Sequence, residues 1–251
     1  MSNFSRHRFS ALADLAADEK AALAKLAGEP VFFYRNQVLR HEGDACPGLF
    51  VLFKGWVGSS IRLGDGNRQF LKVHMPGDVL GAPSLPLTHA ADTLVALTDA
   101  KVGPVDLNEL SAIFARFPRL GILFFLAAQE ERIVLMDRLV SVGRLSANQR
   151  LATLLIHFHE RLVAIDPRTG PEFELPLSQE QIGDIVSLTA VSVNRALRSL
   201  QHEGYIHRRG KIIDMADIIG LRNLASLPAR HLQRNPSWLP RHSSLKDAPQ
   251  G

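Results

Sequence analysis

The sequence predicts an α+β fold: an N-terminal antiparallel β-roll (jelly roll), a long dimerisation helix and a C-terminal winged helix-turn-helix. Three observations support this prediction. Short β-prone segments alternate with turn signals between residues 31 and 106, a spacing typical of antiparallel barrels and rolls. Apolar residues recur every seven positions within residues 119–142. Two short helical patterns and a basic hairpin then follow over residues 178–213.

The first predicted domain, residues 1–118, contains the roll. A helix with Ala and Leu at helical spacing covers residues 10–27, and Gly28-Glu29-Pro30 ends it. A short helix over residues 107–117 closes the domain at Pro118. The predicted strands of the roll are residues 31–34, 49–54, 56–61, 70–75, 93–96 and 101–106.

A long helix over residues 119–145 is predicted to join two copies of the chain. Leu126, Ile133 and Val140 recur every seven residues, and Met136 lies four residues before Val140. Such a repeat forms the seam along which two copies of one helix pack together. The alternative is a single helix buried against its own domain.

The third predicted domain, residues 146–225, begins with a helix over residues 146–164. Ser178 and Gln181 then have the spacing of a capping box, which starts a short second helix. After a turn, Thr189 is placed to cap a third helix. Core positions at helical spacing are Ile182, Ile185 and Val186 in the second helix, and Val193, Ala196, Leu197 and Leu200 in the third.

The third helix places hydrogen-bonding and cationic side chains opposite its apolar face. Any pair of helices has polar outer faces, so this pattern alone leaves a solvated surface as the alternative to DNA binding. The basic hairpin over residues 205–213 resembles a wing that touches phosphates. The combined pattern predicts a recognition helix for the DNA major groove. Its outward residues are Val191, Asn194, Arg195, Arg198 and His202.

The last segment, residues 226–251, is predicted to be a disordered tail. It contains four prolines and few residues that form a core. The prolines are Pro228, Pro236, Pro240 and Pro249.

The bulk composition limits the classes of protein. A net charge of +4 permits a nucleic-acid partner without requiring one. The single cysteine, Cys46, excludes an internal disulfide and a four-cysteine iron–sulfur cluster within one chain, and it suits a reducing compartment. The longest apolar run, residues 121–128, is too short to span a bilayer, and Asp14 and Asp18 interrupt any signal-peptide pattern. We therefore expect a cytoplasmic protein with no membrane partner.

Several short motifs follow one another along the chain. They are Glu42-Gly43-Asp44, Gly55 and Pro76-Gly77-Asp78, then Ser178-Gln179-Glu180-Gln181-Ile182-Gly183, Val193-Asn194-Arg195-Ala196-Leu197 and Glu203-Gly204-Tyr205-Ile206. In this order they resemble the Crp/Fnr family of bacterial transcription regulators, over about residues 10–225. The resemblance implies a homodimer on a two-fold symmetric DNA site, with RNA polymerase as a further partner.

The resemblance also assigns contacts with DNA. Arg195 lies where the family keeps an arginine, which can donate two hydrogen bonds to guanine; a solvated or phosphate-bound arginine is the alternative. Val191 replaces a frequent glutamate and Ala190 a frequent arginine, so we expect a half-site unlike that of the catabolite activator, with Val191 on a thymine methyl. Asn194 and Ser192 are assigned to a base or a phosphate. Further predicted contacts are Ser178, Gln179, Thr189, Arg198, Arg208, Arg209 and Lys211, several of them to phosphates.

No cofactor is predicted, and the effector is unknown. Cyclic-nucleotide-responsive relatives hold the ribose with a glutamate and the phosphate with an Arg-Ser or Arg-Thr pair. This chain has Ala82 at the first position, no arginine in residues 88–92, and Leu135-Met136 in place of hydroxyl residues on the long helix. A phosphate buried without a cation is costly, so cyclic nucleotide is not expected in the usual mode. Residues 1–30 contain no cysteine for oxygen sensing, and Cys46 is either a redox switch or an inert side chain.

Two other functions are the alternatives. An enzyme is not expected, because the sequence has no phosphate loop, no H-E-x-x-H zinc pattern and no nucleophile elbow. A regulatory subunit that shares only the roll would not need the winged helix of residues 178–213. The sequence therefore predicts a non-enzymatic, sequence-specific DNA-binding transcription regulator.

Overall fold

The structure, a computed structural model, describes residues 9–45, 48–64, 66, 68–225 and 232–241. It has the predicted α+β architecture of roll, long helix and winged helix-turn-helix. Its helices are α1 (Ala17–Leu26), α2 (Leu107–Arg116), α3 (Pro118–Arg144), α4 (Ala147–Ile165), α5 (Gln179–Val186), α6 (Ala190–His202) and α7 (Ile218–Ala225). Its strands are β1 (Val31–Phe33), β2 (Val38–Arg40), β3 (Leu49–Lys54), β4 (Val57–Arg62), β5 (Arg68–His74), β6 (Val79–Leu80), β7 (Thr93–Ala96), β8 (Ala100–Val105), β9 (Glu172–Glu174), β10 (His207–Arg209) and β11 (Ile212–Asp214). Cys46 lies outside the described residues.

Two four-stranded antiparallel sheets form the roll, in the orders β1-β8-β3-β6 and β2-β7-β4-β5. The predicted strands 49–54 and 93–96 have the observed bounds, and the other four differ by one or two residues at their ends. Strands β2 and β6 were not predicted. They contain three and two residues, too few for an alternating pattern to be recognised.

The predicted N-terminal helix is interrupted, and α1 begins only at Ala17. The side chain of Glu19 accepts a hydrogen bond from the backbone N–H of Ala16 at 2.9 Å, which starts the helix there. Glu19 is 1% exposed and also binds Arg119, in the first turn of α3, at 2.8 Å. The buried Glu19 carboxylate therefore links the start of α1 to the first turn of α3.

The first half of α3 packs on the roll. Pro118 occupies its first position, and Leu120, Leu123 and Ala127 are buried. Leu126 is half-buried against the same core, so it contacts its own domain, and its place in a dimer seam stays a prediction. Within the described residues, no single helix is long and apolar enough to cross a membrane; α2 and α3 meet that criterion only as a pair, bent by 116°.

The second half of α3 has two different faces. On one face Glu131 binds Lys72 of β5 at 2.6 Å, and Arg138, seven residues later, donates to the carbonyl oxygen of Leu71. This face therefore lies on the roll. Apolar residues elsewhere on this half are exposed: Ile133 (38%), Leu135 (53%), Met136 (54%), Leu139 (75%) and Val140 (51%).

The helix-turn-helix depends on a close approach at Gly183. Ser187 ends α5 in the left-handed conformation (φ 55°), and the backbone N–H of Leu188 donates to the carbonyl oxygen of Gly183 at 2.9 Å. A Cβ on Gly183 would lie 2.4 Å from the carbonyl oxygen of Leu188. The absence of a side chain at Gly183 therefore makes room for the turn that follows α5.

The C-terminal domain, residues 146–225, which the sequence predicts to be a DNA-reading unit, shares one apolar core with the roll. Trp56, beside β4, packs on Phe158 of α4 with ring centroids 5.3 Å apart, in a cluster that also contains Phe70 and Ile182. Desolvation at this joint, with the nearby guanidinium groups of Arg161 and Arg138, lowers the pKa of His157 to about 3. The His157 imidazole is therefore neutral in the folded protein.

Part of the predicted disordered tail is docked, which corrects the prediction for residues 232–241. Asn235 donates its backbone N–H to the carbonyl oxygen of Leu12 at 2.9 Å, and its side chain exchanges hydrogen bonds with Asp14. These bonds and the adjacent Arg234 lower the pKa of Asp14. Leu239 is 7% exposed and lies in the core beside α1. The remaining tail residues lie outside the described part of the chain.

Replacing Leu239 by alanine should destabilise the protein by about 2 kcal/mol, because a buried side chain leaves a cavity. Denaturant unfolding would measure the difference. Trp238→Ala is the control, since Trp238 is 60% exposed and its removal should change stability by less than about 0.5 kcal/mol. Equal effects of the two changes would contradict the docking of the tail.

Gly183→Ala should destabilise the DNA-reading unit by about 1–3 kcal/mol, because the new methyl group would overlap the Leu188 carbonyl oxygen. Gly170→Ala serves as the control, since no atom lies within 4 Å of the position that its Cβ would take. Thermal unfolding and DNA binding would be measured on both variants. Wild-type stability of Gly183→Ala would show that the turn is looser than described.

Candidate DNA-binding surface

The outward face of α6 is the centre of the candidate surface. Val191 is 70% exposed, and Arg195 and Arg198 are exposed at positions four and seven residues further along, on the same side. Within the described part of the chain, neither guanidinium has an ion pair or hydrogen bond. The opposite face is buried through Val193, Ala196, Leu197 and Leu200, each at most 2% exposed. The helix α6 is therefore firmly packed on one face and exposes the guanidinium groups of Arg195 and Arg198 to solvent on the other.

The N-terminus of α6 is capped by Thr189, as predicted. Its Oγ1 accepts from the backbone N–H of Ser192 at 3.2 Å and donates to Ser192 Oγ at 3.0 Å. Both functions of the Thr189 hydroxyl are therefore used, whereas the hydroxyl hydrogen of Ser192 remains able to reach another acceptor. Of these two predicted contacts, Ser192 is the better placed donor.

A hydrogen bond joins the two helices of the motif. Asn194 Nδ2 donates to Gln179 Oε1 at 3.2 Å, and both side chains are half-buried. The bond leaves the amide nitrogen of Gln179 and the amide oxygen of Asn194 for DNA. The structure thus brings together two residues that the sequence analysis treated separately.

The start of α5 carries a negative charge that the sequence analysis missed. Ser178 Oγ accepts from the backbone N–H of Gln181 at 3.2 Å, which confirms the predicted capping box. The pKa of Glu180 is lowered by hydrogen bonds to its carboxylate from its own backbone N–H and from Ser178. A phosphate at Ser178 would have to displace this carboxylate. Glu180, next to Gln179 in the sequence, was the signal from which this negative charge could have been predicted.

The wing formed by β10 and β11 holds the remaining predicted residues. Arg208 Nε donates to the carbonyl oxygen of Gly210 at 2.9 Å, which stiffens the tip, and Lys211 is exposed. Arg209 binds Glu172 of β9 at 2.5 Å, in a pair exposed to solvent. Sequence reasoning missed Glu172, because β9 reaches the wing only by pairing with β11.

Two family models match the chain. A Crp-like helix-turn-helix domain matches residues 149–224, and a cyclic nucleotide-binding domain matches residues 30–117. The first model includes α5, α6 and the wing, and the second includes the roll. Both matches lie inside the domain limits that the sequence predicted.

Named regulators are similar to this chain along most of its length. The transcriptional regulatory protein btr of Bordetella pertussis is 26% identical over 84% of this chain and 86% of its own length. The nitrogen fixation regulation protein FixK of Bradyrhizobium diazoefficiens is 29% identical over 77% of this chain and 82% of its own length. The solved structure of FixK2 from Bradyrhizobium japonicum superposes with a TM-score of 0.72 at 26% identity, covering 81% of this chain and all of that one.

The helix pair, its wing and the preceding roll thus occur here in the same order as in regulators that resemble this chain along most of their length. Dimers are typical of such regulators. The chain therefore belongs to the Crp/Fnr family and is a DNA-binding transcription regulator of that type.

Proposed function

We propose that two copies of the chain bind a two-fold symmetric DNA site and read it with the outward face of α6. The single observation that supports this most strongly is the pair of available guanidinium groups, Arg195 and Arg198, on a capped and firmly packed helix. A helix of this kind fits the major groove, and a two-fold dimer presents it twice.

In this proposal Arg195 reads a guanine. Its planar guanidinium can donate two parallel hydrogen bonds to guanine O6 and N7. Val191, 70% exposed one turn earlier, would pack on a thymine methyl group, since it has nothing to offer a cytosine. Ser192, Asn194, Gln179 and Arg198 would complete the contacts of the helix pair.

Phosphates would position the unit without reading sequence. Arg208 and Lys211 on the wing are available for this role, and Arg209 would exchange Glu172 for a phosphate. An exposed ion pair of this kind contributes at most about 1 kcal/mol, so the exchange is inexpensive. Ser178 and Thr189 would contribute mainly by fixing the helix ends.

The dimer would form along the exposed part of α3. Ile133, Met136 and Val140 lie on a side of the helix that the roll leaves uncovered. Exposed apolar residues at this spacing are typical of a seam between two helices. Leu126 would lie at the edge of this seam, where it already touches the roll.

The remaining parts of the proposal follow from the DNA target. The protein would act in the cytoplasm, contact RNA polymerase when bound at a promoter, and catalyse no reaction. Ala82 and the arginine-free residues 88–92 support a roll that does not bind cyclic nucleotide in the usual mode. Selection of bound DNA from a random pool by the purified full-length protein would identify the site.

Arg195→Ala should weaken binding to the selected site by about 1–3 kcal/mol more than binding to random DNA, because only the selected site offers the guanine. Competition gel shifts at fixed salt would measure both affinities. Arg168→Ala, which removes an arginine that is 89% exposed in the loop after α4, should change neither. An equal loss on both DNAs would make Arg195 a phosphate contact.

A charge placed in the seam should separate the subunits. Met136→Glu with Val140→Glu would bury four carboxylates in the dimer, so we expect a monomer by sedimentation and loss of cooperative binding to the two half-sites. Ile219→Glu is the control, since Ile219 is 72% exposed on α7, outside the seam. A dimeric double variant would place the interface elsewhere.

A further inference from the structure

A row of buried polar side chains begins inside the roll at Arg40. Arg40 is 3% exposed, and its Nη2 donates to Asp92 Oδ1 at 2.5 Å and to Ser84 Oγ at 3.2 Å. Its Nη1 lies 2.7 Å from the position that a Cβ on Gly81 would take, so a side chain there would displace the guanidinium, and the positive φ of Gly81 (83°) also favours glycine. The guanidinium is thus enclosed beneath the segment that contains Ala82.

This arrangement does not fit a cyclic nucleotide in the usual mode. The roll matches a cyclic nucleotide-binding domain, but the buried cation here is already neutralised by Asp92, a residue of the chain itself. A bound phosphate would have to compete with that carboxylate at 2.5 Å. The interior of the roll therefore supplies both members of its own ion pair.

Ser59 and His74 continue the row across the sheet. The Ser59 hydroxyl donates its single hydrogen to Asp92 Oδ2 at 2.5 Å. The bond of 2.9 Å between Ser59 Oγ and His74 Nε2 must therefore be donated by the imidazole, which places a hydrogen on Nε2. The other nitrogen, Nδ1, lies 3.8 Å from Asp78 Oδ2. All four residues are at most 6% exposed.

Asp78 connects the roll to the DNA-reading unit through its ion pair with Arg161. Its carboxylate accepts from the backbone N–H of Met75 at 3.0 Å, which fixes the turn after β5. Arg161 of α4 donates from Nη2 to both Asp78 oxygens at 2.6 Å. The Asp78 side chain is 2% exposed, and that of Arg161 is 19% exposed. An ion pair shielded from water therefore joins the roll to the helix that supports α6.

We propose that this row, Arg40–Asp92–Ser59–His74–Asp78–Arg161, holds the DNA-reading unit at one fixed position on the roll without any bound effector. The row contains two arginines and two carboxylates in adjacent pairs, so its charges balance within the chain, while Nε and Nη1 of Arg40 have no hydrogen-bond partner among the described residues. Four of the five links are hydrogen bonds with a defined donor and acceptor, whereas His74 Nδ1 and Asp78 Oδ2 are only close, at 3.8 Å. Directional bonds define an orientation more narrowly than apolar contact does. The proposal rests on the proposed function, because position matters only if both subunits read DNA.

The spacing of half-sites provides the test. One inserted base pair moves a half-site by about 3.4 Å and turns it by about 35°, so two rigidly held units should discriminate against it strongly. We expect wild-type protein to prefer the selected site over its one-base-pair insertion and deletion by about tenfold or more. Two loosely held units should tolerate all three spacings, since flexibility lets the second half-site be reached.

Two variants cut the row, and each has an adjacent control. Arg161→Gln removes the ion pair between the domains, whereas Glu160→Gln breaks the exposed pair with Arg222 inside the DNA-reading unit. Ser59→Ala removes the central hydroxyl, whereas Ser60→Ala removes a buried hydroxyl that has no hydrogen-bond partner among the described residues. All four are made in the full chain, and thermal unfolding confirms that each is folded.

Arg161→Gln and Ser59→Ala should lower the spacing preference at least about threefold, with Arg161→Gln the larger effect, and both controls should keep the wild-type ratio. Adding 3′,5′-cyclic AMP at millimolar concentration should leave the wild-type ratio unchanged. Wild-type preference in both row variants would overturn the proposal, as would a response to cyclic AMP. If Ser59→Ala matched Ser60→Ala, the link through the roll would be wrong. Failure of the proposed function would look different: the wild type itself would not distinguish its selected site from random DNA.

Discussion

The packing of the β4–β5 hairpin against α4 and α5 determines where the recognition helix lies. Trp56 and Phe158 form its apolar centre, and Gln69 at the hairpin donates to the carbonyl oxygen of Asp184 at 2.6 Å. Domains with small polar interfaces move freely relative to each other, whereas a large apolar interface holds them together. Because residues of both domains lie in one core, the roll and the reader form a single packed body in each subunit.

This shared core gives the long helix two separate tasks. Its positions 131 and 138 attach to β5, while the apolar positions 133, 136 and 140 stay available for another copy. A helix buried on all sides could not do both. Of the two alternatives left open by the sequence, burial in its own domain describes the first half of α3 and one face of the second half, and the exposed face is where a seam is proposed.

Local patterns were predicted well, because their partners lie a few residues apart. The caps at Ser178 and Thr189 occur as the sequence indicated, and the helix predicted to begin at residue 146 begins at Ala147. The available cations on α6 were also predictable, since helical spacing alone separates Arg195 from the core face.

Long-range partners were missed, because no short pattern contains both members. Arg40 and Asp92 are 52 residues apart, and Arg161 and Asp78 are 83 residues apart. A charged residue in a strand normally indicates a solvated face, so the burial of Arg40 could not be predicted from its residue type. The same cause explains Glu172 beside the wing and the docked segment around Leu239. In each case tertiary contact, not propensity, decides the outcome.

The docked segment around Leu239 also affects the order in which the chain can fold during synthesis. During synthesis the N-terminal roll would ordinarily fold before the C-terminal DNA-reading unit leaves the ribosome, since domains generally fold as they are produced. Here the hydrogen bonds of Leu12 and Asp14 with Asn235 can form only after Asn235 has been translated, more than two hundred residues later. The segment before α1 therefore acquires these neighbours only after the C-terminal domain has been translated, so a chain that stops before Asn235 lacks part of its N-terminal core.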